Sequence, residues 1–510
     1  MPLHFELPAH LTAEKFIAQL SKFANITVIS QQYTLKTYYD SFDWRLYKKG
    51  FTFEFKRAKH ESLLILKSLA TGRQLAQMVS QQAPVFAKDF KPGKLHGQIE
   101  SVLEIRALLA ICTLDYEAYS ISVLNKEEKT ILRLDIEDYN LFNSRLTLLP
   151  IKGYDKALDH IRSLVMKKFE LAMGYRPVLL DALALQGHKP QEYSSKLSIN
   201  LAPDMRADVA CKYIYSHLLQ TIKVNEQGTI ADLDSEFLHD FRIAVRRTRA
   251  GLNQLKGVLP ETTHTQFTAF FSWLGQITNQ TRDLDMYLVN FEAYKNSLPI
   301  TIRNDLQPLY DFILSKQQKA QKELAKKLKS QRYLMTLSEW EAFLKETVQK
   351  KPLEANARMT IKELADLRIW KVYNTVIKEG SQIQADSSAE MLHSLRKTCK
   401  KLRYLMEFFQ SLYPEQAMQG LIKCLKGLQD VLGKFQDCEV QEQTLKQFSE
   451  EMMAVKVQAN TFLAMGVLIQ IIDTHKLEAR KGFNEKFADF QQLKIRKSFE
   501  MYFANVVVQL

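Results

Sequence analysis

The pattern of apolar and polar positions divides the chain near residue 155. Before it, short runs alternate or are rich in β-branched and aromatic residues: YTLKTYYDSF, FTFEFKR, SLLILKSL, VLEIRALLAI, YEAYSISVL, TILRLDIEDY and RLTLLPI. Turn-like stretches such as 47–50 and 91–97 separate them. This texture predicts an antiparallel β domain, barrel or sandwich, over residues 1–175. A helix is expected over 154–173, with Leu158, Ile161, Leu164, Val165 and Phe169 at helical spacing. Residues 176–203 carry Pro177, Gly187, Pro190 and Pro203 and read as a linker. From 204 to 510 the period is helical throughout. Helices are expected over about 204–224, 236–258, 263–296, 302–330, 336–349, 357–379, 388–411, 416–446, 450–475 and 484–508. The fold class is therefore multi-domain, with a β domain followed by an all-α domain.

The helical part repeats itself. LHDFRIAVRRTRAGLNQL begins at Leu238 and LHSLRKTCKKLRYLMEFF at Leu392. Their histidines, His239 and His393, are separated by 393 − 239 = 154 residues. The same offset pairs Arg242 with Arg396, Arg246 with Lys400, Arg247 with Lys401, Arg249 with Arg403, and further on Asp283 with Asp437. An ungapped offset over this length indicates an internal duplication, with units around 204–330 and 357–508.

Helical geometry gives the repeat a chemical meaning. At ~100° per residue, with His239 at 0°, Arg246 falls at about −20°, Arg242 at about −60° and Arg249 at about −80°. These groups form one stripe, and Phe241, Val245, Leu252 and Leu255 lie on the far side, toward a core. In the second segment His393, Arg396, Lys400 and Arg403 share a stripe with Lys397 beside it. Leu395, Cys399, Leu402, Met406 and Phe409 point away. Five basic residues stand against one acid in 239–256, and again in 393–407, so each stripe repels itself. An external anion relieves that repulsion. A solvated basic face explains one such helix, but two at a single offset, each opened by histidine, point to a polyanion site. Arginine offers a bidentate fork to phosphate and histidine a further donor. Apart from Tyr404 no aromatic residue is interleaved, which disfavours base stacking and suits a ligand made only of phosphates.

Charge and cysteine content refine this. The net charge of +13 favours an acidic partner without choosing among nucleic acid, phosphate polymer and anionic membrane. Cys112, Cys211, Cys399, Cys424 and Cys438 are odd in number and form no C-x-x-C pair, so neither a disulfide framework nor a zinc site is expected, and a cytoplasmic setting fits. The start, MPLHFELPAH, has no basic-then-apolar character, so no signal peptide is expected. The apolar stretch 462–472 is short of the ~20 residues of a membrane helix and reads as a buried helix. Asp283 and Asp437 read either as metal or catalytic carboxylates or as supports that orient Arg or His. One aspartate per unit makes a poor metal site, so the supporting role is expected.

These residues resemble the CHAD domain, the histidine α-helical domain. The resemblance is carried by H-x-x-R-x-x-x-R-R-x-R from His239, R-D-L-D at 282–285, H-x-x-R-K-x-x-K-K-L-R-Y from His393 and L-Q-D-x-L-G-x-x-x-D at 428–437. It covers about 204–508 and implies two helical bundles related by pseudo-twofold symmetry, lining a basic channel for inorganic polyphosphate. Some members of the family are found on polyphosphate granules. The ligand contacts implied are His239, Arg242, Arg246, Arg247, Arg249, His393, Arg396, Lys397, Lys400, Lys401 and Arg403. Asp283, Asp437, Arg282 and Tyr404 would support them.

The first half is similar, more loosely, to the CYTH or triphosphate tunnel domain, through TYYDSFDWRLYKKGFTFEFKR and the stretch RLTLLPIKGYDKAL from Arg145. That family's tunnel is a closed antiparallel barrel with carboxylates for divalent metal and bases for triphosphate. The opening E-x-E-x-K falls here on His4, Glu6 and Pro8, and the closing-strand carboxylates fall on Thr147 and Leu149. The two arginines of the family's L-R-x-R strand fall on Glu54 and Lys56. Glu6, Lys56, Lys67 and Arg106 are the residual tunnel candidates. Without the acidic cluster metal ions lack ligands and nothing activates water, so the barrel reads as degenerate. The expected function is non-catalytic polyphosphate binding, with no catalytic residue, metal or cofactor. The alternatives are a metal-dependent triphosphatase in the N-terminal domain and a nucleic-acid-binding module.

Overall fold

A computed structural model of the chain describes residues 2–59, 61–195, 197–454 and 456–504. The chain divides into two compact units, Met1–Ser194 and Ser195–Leu510. The expected end of the last helix, 505–508, lies outside the described residues.

The first unit opens with β1 (Leu3–Leu7) and α1 (Ala13–Leu20), followed by β2 (Ile26–Asp40), α2 (Arg45–Lys48) and β3 (Phe51–Arg57). Next come β4 (Ser62–Ser68), β5 (Gln74–Val79), α3 (Lys94–Leu103), β6 (Leu109–Leu124), β7 (Thr130–Asp138) and β8 (Ser144–Pro150). It closes with α4 (Asp155–Lys168) and α5 (Val178–Leu185). The strands form one antiparallel sheet in the order β1-β8-β7-β6-β2-β3-β4-β5. Among the described residues no pairing joins β1 to β5, so the barrel-like sheet stays open. One apolar cluster lies under α1 and α4, including Phe16, Leu20, Ile121, Leu134, Ile161 and Val165. A second gathers Phe53, Leu64, Leu66, Ile99 and Leu103 around α3.

Two expectations need correction here. Only Val102 and Leu103 of VLEIRALLAI belong to α3, which ends there, and the strand begins only at Leu109. The stretch 176–203 is not all linker: its VLLDALAL forms α5, whose Val178, Leu179, Ala182 and Leu183 are buried with Tyr38, Trp44, Tyr116 and Tyr139. Prolines and glycines mark its ends rather than its interior, and eight residues are too few for a helical period to stand out.

The second unit is helical: α6 (Ala207–Ala231), α7 (Ser235–Gln254), α8 (Glu261–Ile277), α9 (Asn279–Val289), α10 (Phe291–Ser297), α11 (Gln307–Leu328) and α12 (Gln331–Lys345). The second half supplies α13 (Ile361–Ser381), α14 (Ala389–Phe409), α15 (Glu415–Met453), α16 (Ala459–Gln491) and α17 (Leu493–Phe503). The single helix expected over 263–296 is broken at Thr278 and Asn290. The Thr278 hydroxyl donates to the Leu274 carbonyl at 3.1 Å, and the Asn290 amide to that of Met286 at 2.7 Å. Such side-chain bonds compete with the backbone ladder. The reverse happens at the end of the chain, where α16 runs on to Gln491 through the expected gap at 476–483.

The duplication governs this architecture. α6, α7 and α8 start at Ala207, Ser235 and Glu261, and α13, α14 and α15 start 154 positions later at Ile361, Ala389 and Glu415. Residues related by this offset also meet one another. Arg206 forms an antiparallel bridge with Thr360, and the Tyr287 hydroxyl donates to the Gln441 carbonyl at 3.5 Å. A residue can touch its own duplicate only near the axis relating the halves, so these contacts mark a pseudo-twofold axis. The apolar backs of α7 and α14 share one core, with Phe241, Val245 and Leu252 beside Leu395, Cys399, Leu402, Met406 and Phe409. A second cluster joins Leu284 and Tyr287 of α9 to Leu445, Phe448, Met465 and Leu468 of α15 and α16. The apolar stretch 462–472 falls inside α16, and among the described residues no helix is long and apolar enough to cross a membrane.

Candidate functional site

α7 and α14 place the two basic stripes. Asp234 caps α7: its carboxylate accepts from the Glu236 and Phe237 amides at 2.9 and 3.3 Å, satisfying first-turn donors. The basic groups on the two helices are close enough to perturb one another. Burial first, then Arg396 and Arg246, bring the Lys400 ammonium down to about 8. Burial, followed by Arg246, also lowers the Arg242 guanidinium, which still remains charged at neutral pH. Burial raises the Asp283 carboxyl, and Asp437 on the other half pushes the same way, while Arg242, Arg282 and Arg246 oppose them. One cationic locus therefore draws on both halves of the repeat, with Asp283 and Asp437 at its edge.

The individual residues are held in different ways. The Arg282 guanidinium donates to Nδ1 of His239 at 2.9 Å and to the Ser235 carbonyl at 3.0 Å. His393 is oriented by Gln436, with Nδ1 and Oε1 2.6 Å apart. Arg242 donates to the Thr278 hydroxyl at 2.7 Å, and Arg396 pairs with Asp437 at 3.3 Å. Arg249 is half-buried against Gly275, where an added Cβ would lie 2.6 Å from its Nη1. The Nε atoms of Arg246 and Arg396 are buried and have no hydrogen-bond partner. Lys397 and Lys401 are exposed on the flank of α14.

Three sequence expectations change. Arg247, implied by the resemblance as a ligand contact, is engaged within the protein: it donates to Glu407 at 2.9 Å and to the Ser195 carbonyl at 3.2 Å, tying α7 to α14. Arg403 also pairs with Glu407, at 3.2 Å, so a carboxylate does relieve part of the repulsion. Tyr404 is buried, with the Arg403 guanidinium 5.6 Å from its ring centroid, so its face belongs to the core. Sequence reasoning also passed over Gln429, Gln436 and Glu407. Gln429 shares a face of α15 with Gln436, two turns away, and both atoms of its buried amide lack a partner. It lies inside the L-Q-D-x-L-G run, which was the one available signal.

The β unit has its own charged interior. Lys36, which is 1% exposed, donates to Glu137 at 2.6 Å and to the Tyr139 hydroxyl at 2.7 Å. Lys56 donates to the other oxygen of Glu137 at 2.8 Å, and Lys67 pairs with Glu54 at 3.0 Å. Burial opposes both carboxylates, but the lysines outweigh it: Glu137 is held well below the usual carboxylate range and Glu54 is also lowered. The cavity around them is lined by His4, Tyr38, Lys67, Thr147 and Tyr175 among others. His4 and Thr147, the counterparts of metal-ligand positions, face each other in register, with Nδ1 and Oγ1 3.2 Å apart. Of the residual tunnel candidates, Lys56 and Lys67 reach this cluster. Glu6 instead lies 3.7 Å from Arg145, and Arg106 is buried 3.4 Å from Asp43. Divalent metal needs several free carboxylate oxygens, and here both carboxylates are engaged by ammonium groups, so the donor set does not fit metal. Among the described residues no group of three or more His, Cys, Asp or Glu could hold a metal ion.

Residues 214–446, within the helical unit, match the family model of the CHAD domain. No curated protein matches the chain. Among solved structures, the CHAD domain from the plant Ricinus communis aligns over 60% of this chain and 95% of its own, at 23% identity and a TM-score of 0.47. PptA from Streptomyces chartreusis aligns over 56% of this chain and 99% of its own, at 14% identity and a TM-score of 0.44. A Hippeastrum protein described as an adenylyl cyclase with a dominant triphosphatase activity aligns over 38% of this chain and 99% of its own, at 11% identity and a TM-score of 0.27.

Proposed function

We propose that the helical unit binds inorganic polyphosphate, without chemistry, in the basic locus between α7 and α14. The observation that carries this reading is the convergence of Arg242, Arg246, Arg396 and Lys400 from both halves. Burial, then Arg396 and Arg246, bring Lys400 down to about 8, and burial, then Arg246, lowers Arg242. A protein keeps such a cluster at a cost in stability, and a linear polyanion offsets that cost at every phosphate it presents. His239, Arg249, His393, Lys397, Lys401 and Arg403 complete the contact set, with Arg282, Asp283 and Asp437 as supports and Arg247 as a strut. Placement in the cytoplasm and on polyphosphate granules belongs to the same proposal.

The nucleic-acid alternative is disfavoured because Tyr404, the one aromatic residue on the stripes, is buried in the core. The triphosphatase alternative is disfavoured because Glu54 and Glu137 are engaged by lysines. Competition tests the reading. Long-chain polyphosphate should displace labelled polyphosphate at far lower phosphate concentration than duplex DNA or RNA does. Equal displacement by nucleic acid would remove the specificity.

A further inference from the structure

The two histidines occupy equivalent places in the duplication, yet their neighbours differ in hydrogen-bonding sense. Arg282 and Gln436 are themselves 154 positions apart, and each meets the Nδ1 of its histidine. A guanidinium can only donate, so Nδ1 of His239 accepts, and the proton of the neutral ring is on Nε2. At His393 the neighbour is the Gln436 oxygen, which can only accept, so His393 donates from Nδ1 and its neutral ring carries a lone pair on Nε2.

Resting on the phosphate reading above, we propose that Arg282 and Gln436 are positioning residues that make the two histidines unequal. His239 keeps its proton fixed on Nε2, whereas His393 becomes a phosphate donor only by taking up a proton from solvent. A lone pair on Nε2 repels phosphate oxygen, and protonation turns it into an N–H that donates. Gln436 tolerates that cation, because Nδ1–H goes on donating to its oxygen. At His239 a second proton would land on Nδ1, against the Arg282 N–H, and would place two cations together.

The charged surroundings run the other way, more cationic around His393 than around His239, so the asymmetry rests on the two hydrogen-bond partners. Around His393 stand Glu390, Arg396, Lys397 and Lys400 on its own helix and Asp437 on α15, which Arg396 holds at 3.3 Å. Arg246 of α7 is near enough to Lys400 to lower it, and Glu379 of α13 lies behind, beside Cys399. Around His239 are Asp240 and Arg242 on α7, Arg282 and Asp283 on α9, and Glu236, 3.8 Å from Arg282.

Imidazole nitrogen spectra of the ¹⁵N-labelled, ligand-free full chain test the assignment. His239→Gln and His393→Gln supply the assignments. The expected result is an Nε2–H tautomer for His239 and an Nδ1–H tautomer for His393. The same tautomer at both would overturn the proposal. Calorimetry with polyphosphate of defined length, in buffers of different ionisation enthalpy between pH 6 and 7, tests the linkage below the Lys400 range. Net proton uptake on binding is expected for the unaltered chain. His393→Gln and Gln436→Arg should abolish the uptake, and His239→Gln should retain it. Unchanged uptake in His393→Gln would overturn the proposal. If no polyphosphate bound, the functional reading would fall and the proton linkage with it. The ligand-free spectra would still decide the tautomers.

Discussion

Arg247 and Glu407 join the two halves of the duplication: the guanidinium of α7 donates to the carboxylate of α14 at 2.9 Å, with both side chains mostly buried. The same carboxylate holds Arg403 at 3.2 Å. Glu407→Gln would leave two guanidinium groups without their counter-charge. We expect it to lower the unfolding free energy by about 2 kcal/mol. Urea denaturation measures this, and added polyphosphate should restore part of the loss by binding the native state.

Burial and the neighbouring guanidinium groups at Lys400 set the sign of the site's pH dependence. The Lys400 ammonium is at about 8 in the folded chain, against about 10.4 for an ordinary lysine. Between these values the unfolded chain holds more protons, so stability rises with pH over that window. The cost of the Lys400 charge is fully present below about 8. A bound polyanion favours the charged form, so binding takes up a proton in the same window and weakens as pH rises above about 8. Lys400→Gln should flatten this part of the affinity profile, measured from pH 7.5 to 10.

Glu137 neutralises two lysines inside the β unit. Burial brings Lys36 down to about 8 even beside Glu137, so Glu137→Gln would cost Lys36 its proton and leave Lys56 without this counter-charge, and we expect a loss of about 3 kcal/mol in stability. Adding Lys36→Met should recover part of it. In the unaltered chain, Mg or Mn with tripolyphosphate should release no phosphate. Release that disappears in Glu6→Ala would restore the enzymatic reading of this unit.

The sequence carried much of this account, for a physical reason. Helical faces and an exact offset are one-dimensional patterns, so the stripes led by His239 and His393, their apolar backs and the duplicated helix starts could be read directly. Contacts between elements could not. Glu407 looked like one acid among five bases, and nothing in its spacing pointed to Arg247 across the axis. Arg282 and Gln436 sit at matched positions, but their opposite bonding sense needs the histidine rings in view. In the β unit, Glu54 stands out in the sequence only as a departure from the family pattern and Glu137 does not stand out, because their pairing with Lys67 and Lys36 spans separate strands. The breaks at Thr278 and Asn290 arise from side-chain bonds to the preceding turn, which apolar periodicity does not register.

The central claim is that α7 and α14 hold one polyphosphate between them. Its most direct test is equilibrium binding of long-chain polyphosphate across a salt series, for the unaltered chain and for Arg246→Glu combined with Lys400→Glu. The account predicts tight binding that weakens steeply with salt. The double variant should lose at least about a hundredfold in affinity, and its log–log salt slope should be shallower by about 1.4, the share of two lost phosphate contacts. Unchanged affinity and slope in that variant would contradict it.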